Sequence, residues 1–191
     1  MRAHSPYYQI HRALLDRFPA LRPATVHGLA LWVYGTLLAH SACEGAVLAA
    51  LTHLGTRDTL RQRLRDTLRV GADKRCPTRC DWHLTACFAP LLRWLLAWWQ
   101  GNDLALALDA TSHGDVVVVV AISVLYRGTA LPVAWQVLPA NRAGAWLPHW
   151  LHLLATLAPA VPASMRVVVF TDRGLWSPGC GRRSARRAGI P

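Results

Sequence analysis

At 191 residues the chain has room for one or two domains with a real core. It carries 21 Lys+Arg against 10 Asp+Glu, a formal charge of +11, and Lys74 is its only lysine. Arginine suits bidentate phosphate contacts, so the balance points to a nucleic-acid partner, although a GC-rich gene would also favour arginine over lysine.

Five cysteines, an odd number, argue against a disulfide scaffold and for a reducing compartment. The opening MRAHSPYYQIHRALLDRF is too polar for a secretory signal. The apolar stretch 28–54 is interrupted by His40, Glu44 and His53, and the stretch 143–162 by Pro148, His149, His152 and Pro159. Neither reads as a membrane span. The expected setting is the cytoplasm, in association with the nucleoid and with no membrane partner.

In chain order, residues 7–18 read as a short amphipathic helix broken by Pro19 and Pro23. Thr25 then serves as the expected N-cap of a longer helix reaching about Ala39. A further helix covers 44–53, Gly55 ends it, and Thr56 caps TRDTLRQRLRDTLR. There Leu60, Leu64 and Leu68 form an expected apolar ridge beside a row of Arg57, Arg61, Arg65 and Arg69. Helix, glycine turn and basic helix make the outline of a helix-turn-helix. An ordinary amphipathic helix with solvated arginines has the same pattern, and the spacing does not separate the two.

Cys76, Cys80, His83 and Cys87 invite a zinc reading, but all four fall within one short segment. Structural zinc sites usually pair two separated dyads. The spacing continues through Leu91, Trp94 and Trp98, so one stripe of one helix explains it better. Gly101-Asn102-Asp103 is the expected domain boundary.

Beyond it the pattern becomes extended. Residues 104–108 read as a strand ending at Asp109, 116–126 as a buried strand, and 129–138 as a third strand after the turn Arg127-Gly128. A helix over 145–157 and a strand over 165–170 follow, the latter leading to Asp172. The order β-β-β-α-β predicts a mixed α/β layer, with the helix returning the fourth strand beside the first. Asp109 and Asp172 would then share one sheet edge. Paired carboxylates suit Mg²⁺ or Mn²⁺, and Arg173 is placed to hold a phosphate. Aspartate is also a common turn or cap residue at strand ends.

The segments LALDAT, VVVAISVLYRGTALPVAW and VVVFTDRG, with TLRQRLRDTL and LLRWLLAWWQG before them, resemble bacterial insertion-sequence transposases of the DDE class, in particular the insertion-sequence-four-like group. The similarity runs from about residue 44 to Pro178. It implies a ribonuclease-H-like mixed sheet, here incomplete, preceded by an all-α helix-turn-helix-like region. It also implies DNA transposition with two divalent metals, on terminal-repeat DNA. The corresponding regions are a helical DNA-binding part over 1–100, a partial catalytic core over 101–178 and an aberrant Arg-rich tail over 179–191. Asp109 and Asp172 match the first two acids of the catalytic triad as metal ligands. Arg57, Arg61, Arg65, Arg69 and Arg173 are the expected DNA contacts.

The family's third acid is a downstream glutamate, whereas the single glutamate of this sequence is Glu44. The tail GCGRRSARRAGIP departs from the family and reads as shifted-frame sequence, so a C-terminally truncated transposase is expected. On that reading the chain is catalytically incomplete alone. The alternative is a non-catalytic DNA-binding fragment, as a homodimer or paired with an intact transposase as its inhibitor. A different ribonuclease-H-like nuclease is disfavoured by the YRG and PVAW segments.

Overall fold

The computed structural model describes residues 5–69, 83–140 and 146–171. They form six α-helices and four strands in two compact units that divide between Leu84 and Thr85. No helix among them is long and apolar enough to cross a membrane.

The first unit is helical: α1 (Pro6–Arg17), α2 (Pro23–Ala39), α3 (Glu44–Ala50), a 3-10 turn (Thr52–Leu54) and α4 (Arg57–Leu68). The second helix starts at Pro23, with Arg22 as its N-cap, rather than after a Thr25 cap. Proline in a helix interior kinks or breaks it, but at the first position its missing N–H costs nothing and its φ is already helical. Helix α2 packs against α1, α3 and α4 and has no single apolar stripe, but its Val33, Leu37 and Leu38 are exposed. Two glycines allow the close approaches. A Cβ on Gly28 would lie 1.8 Å from Thr67 Oγ1 of α4, and one on Gly35 would lie 2.6 Å from Val47 Cγ1 of α3. The Trp32 indole N–H donates to the Leu64 carbonyl at 3.0 Å and ties α2 to α4 again.

On α4 the buried residues are Leu60, Leu64 and Thr67, whereas Leu68 is 68% exposed. The expected Leu60–Leu64–Leu68 ridge is therefore only two leucines long. Each step of four residues turns about 40° past a full circle, so a second step leaves the buried face, and a step of seven returns to it. Thr67 takes the third place and seats its side chain on Gly28.

Tyr7 packs against His11, His27 and Tyr34. Its oxygen lies 2.6 Å from His27 Nδ1, and His27 Nε2 lies 3.2 Å from Arg63 Nη1. Burial, then the charges of Arg63 and His11, hold the His27 pKa below its ordinary 6.5. Burial pushes Tyr7 up to about 12 from 10.0. In both cases the neutral form is favoured in the fold. As pH falls through 6.5 the unfolded chain protonates His27 first, so its stabilising contribution is present above that pH and lost below it. As pH rises through 10.0 the unfolded chain ionises Tyr7 first, so stability declines on the alkaline side. Urea midpoints of the helical signal are expected to be level between these limits and to fall outside them. Tyr7→Phe should remove the alkaline decline, and an unchanged decline would assign it to another group.

The second unit holds α5 (Thr85–Leu96), β1 (Asp103–His113), β2 (Val117–Tyr126), β3 (Thr129–Pro139), α6 (Leu147–Leu157) and β4 (Arg166–Thr171). The sheet order is β3-β2-β1-β4, with β1 antiparallel to β2 and parallel to β4. This is a mixed α/β layer in the expected β-β-β-α-β order. The break at Gly101–Asp103 marks a change from helix to strand, yet α5 packs on β3 and α6 within the sheet unit. Its buried residues are Phe88 and Leu92, and Phe88 meets Trp135 of β3 at 5.0 Å. Trp98 lies beyond the end of α5 and is 75% exposed, so the expected stripe stops short of it.

Alternation organises the sheet. Leu104, Leu106 and Leu108 of β1 and Val118, Val120, Ile122 and Val124 of β2 are buried on one face. The turn Arg127-Gly128 has positive φ at both residues, 49° and 81°, as the twist of a two-residue hairpin requires. Glycine accepts this freely, and Arg127 is steadied there by its guanidinium lying 5.3 Å from the Tyr126 ring centre. Pro132 lacks a ladder donor and sits on the edge strand β3 beside a register shift.

Candidate active site

Asp109 stands on β1 directly after buried Leu108, with its own side chain exposed. The strand does not end there, as the sequence suggests, but continues to His113. Its pairing with β2 carries it on, Asp109 opposite Ala121 and His113 opposite Val117. The described pairing with β4 reaches Leu108 opposite Thr171. Asp109 is thus an interior residue of β1, one position beyond the last described rung with β4.

The Thr111 hydroxyl donates to Asp109 Oδ2 at 3.0 Å. Two residues along a strand share a face, so this contact orients the carboxylate while leaving acceptor sites on both oxygens. Such an exposed oxygen donor suits a hard divalent cation. Asp109 alone is one ligand, and among the described residues no group of three or more His, Cys, Asp or Glu could hold a metal ion. Asp172 and Arg173 follow Thr171 in the chain and lie outside the described residues. The same is true of Cys76 and Cys80 from the zinc reading. Of that set, His83 is exposed, while Cys87 lies on α5 with its thiol pKa raised by burial.

At the opposite end of β1, Asp103 accepts from Arg166 Nε at 2.7 Å and Nη2 at 2.8 Å. This bidentate pair lowers the Asp103 pKa, chiefly through the hydrogen bond. It also joins the first residues of the parallel pair. Sequence reading missed it, although a signal was present. Asp103 and Arg166 are 63 positions apart, the same separation as Asp109 and Asp172.

The face that carries Asp109 is the less covered one. Val137, Val168 and Phe170 are 57%, 39% and 52% exposed. In the helical unit the arginine row is largely engaged with acids. Arg61 pairs with Asp58 at 3.5 Å, Arg65 with Glu44 at 2.9 Å and Arg69 with Asp66 at 3.8 Å. Arg57 is exposed at the start of α4. Glu44 thus links α3 to α4. Compared with known protein families, curated proteins and solved structures, the chain matches none.

Proposed function

We propose that the chain is a DDE-class transposase relative whose sheet unit carries two carboxylates of a divalent-metal site and whose helical unit contacts DNA. The observation that carries this reading is the register. The parallel pair β1·β4 runs with a constant offset, from Asp103 opposite Arg166 to Leu108 opposite Thr171. Were that offset to continue by one residue, Asp172 would lie beside Asp109. Neighbouring strands lie about 4.8 Å apart, close enough for two carboxylates to share one hard cation. The β-β-β-α-β order supports a ribonuclease-H-like sheet as the frame.

Asp109 and Asp172 are the residues that would hold Mg²⁺ or Mn²⁺, and Thr111 orients the first of them. Bound there, the metal would supply Lewis-acid stabilisation of a phosphodiester under attack. Arg173 is assigned to a phosphate oxygen. The sole glutamate, Glu44, is committed to Arg65 in the helical unit, so this sequence supplies two acids of the three the family uses. Strand cleavage by this chain alone is therefore expected to be undetectable.

Manganese titration of the full chain tests the metal site. One saturable site is expected, and Asp109→Asn and Asp172→Asn should each weaken it at least tenfold. Equal affinity in both variants would overturn the assignment. Binding to terminal-repeat DNA is expected to weaken steeply with salt and to fall in an Arg61→Gln, Arg65→Gln double variant. The ion pairs of these arginines must open to reach phosphate, so a loss of several-fold is expected, not abolition. Metal-dependent cleavage by the unaided chain would show that the two acids suffice.

A further inference from the structure

The helical unit contains a cleft of about 190 Å³ lined by Tyr7, Tyr8, His11, His27 and Arg63 together with leucines. We propose that this cleft binds a small oxyanion of the phosphate class, with Arg63 as its anchor and the Tyr7 hydroxyl as a second donor. The proposal does not rest on the transposase reading.

The direction of the hydrogen bonds carries the inference. A guanidinium has no acceptor, so Arg63 Nη1 donates to His27 Nε2 across 3.2 Å. His27 Nε2 is then the bare nitrogen, and in the neutral ring the proton sits on Nδ1. That N–H donates to Tyr7 Oη across 2.6 Å. The opposite tautomer would set an N–H against the arginine N–H. Each member of the chain therefore donates to the next, and the last one, the Tyr7 hydroxyl, retains its own proton to give.

Tyr7 is only 4% exposed, so bulk water has little access to that proton. No residue lining the cleft is a carboxylate. Of the described acids of this unit, Asp58 pairs with Arg61, Glu44 with Arg65 and Asp66 with Arg69, while Asp16 near the end of α1 does not line the cleft. Donors thus exceed acceptors around a space that admits more than a single water. Burial first, and then the charges of Arg63 and His11, oppose protonation of His27. An oxyanion supplies the missing acceptors and the missing negative charge.

The source of the anion is either a free phosphate or a phosphate of the DNA backbone. Histidine side-chain NMR on the full chain, at constant ionic strength in chloride, reads both. Inorganic phosphate is expected to shift the His11 and His27 signals saturably and to raise the His27 pKa. Arg63→Gln should weaken this binding at least tenfold, Arg63→Lys less, and Arg93→Gln on α5 not at all. Tyr7→Phe should weaken it several-fold, read from the His11 signal because loss of the hydroxyl itself moves that of His27, and it serves as the test should Arg63→Gln fail to fold. Short duplex DNA that displaces phosphate, and binds less well to Arg63→Gln, identifies the backbone as the source. DNA that leaves the phosphate shifts untouched identifies a free phosphate. Absence of saturable shifts with either ligand, or equal affinity in Arg63→Gln and Tyr7→Phe, overturns the site.

Discussion

Gly28→Val is expected to destabilise the helical unit by about 3 kcal/mol, the upper end of the usual cost of overpacking. The added Cβ would meet Thr67 Oγ1 at 1.8 Å, with Thr67 Cβ and Cγ2 at 3.0 and 3.2 Å. Turning the threonine exchanges one collision for another, so α4 must move off α2. That movement also pulls Leu64 away from Trp32, whose indole reaches the Leu64 carbonyl. Urea unfolding followed by far-ultraviolet circular dichroism measures the loss. Thr67→Gly in the same chain should restore part of it, because the opposing side chain is then gone. A midpoint unchanged by Gly28→Val would mean that the two helices are not in this contact. Since α4 carries the arginine row, the DNA binding proposed above should fall in step with the unfolding.

Leu108→Ala is expected to cost the sheet unit about 2–5 kcal/mol, the range for truncating a buried leucine. Leu108 is 4% exposed and joins three strands, opposite Ile122 on β2 and Thr171 on β4. It is also the residue before Asp109. A cavity there loosens the last described rung of the parallel pair, from which the two-carboxylate register is extrapolated. Manganese affinity should therefore drop in this variant even where the unit remains folded. Thr111→Val, which removes only the hydroxyl donor to Asp109, should leave stability nearly unchanged and lower the affinity modestly. Leu108→Ala with full metal affinity would show that the acid does not depend on this rung.

The contrast between the two units explains what sequence reading reached. In the sheet unit the alternating leucines of β1 and the β-branched run of β2 announce strands with one buried face, and Arg127-Gly128 announces the turn between β2 and β3. These are local signals, each contained in a few residues. The end of β1 was misjudged because Ser112, His113 and Gly114 are turn-forming types, whereas cross-strand pairing with Val117 and Val118 keeps the strand extended. In the helical unit the helices were legible from their periods, but not their contacts. The period of α4 puts position 67, not 68, on the face of Leu60 and Leu64, but that a threonine fits there depends on a glycine 39 positions earlier on α2.

The amino-acid sequence by itself determined the succession of helices and strands, the return of β4 beside β1, and the positions of the two candidate acids. Those follow from side-chain period and chain connectivity, which are properties of short segments. Only the tertiary structure decided the partners. It joined Arg166 to Asp103, Glu44 to Arg65, Thr111 to Asp109 and His27 to both Tyr7 and Arg63. Apart from the two-residue step to Thr111, these contacts bridge segments far apart in the chain and depend on which helix faces and strand registers meet. For that reason the carboxylate of Asp109 was visible as a residue from the start, while its orientation by Thr111 and the donor-rich cleft in the other unit were not.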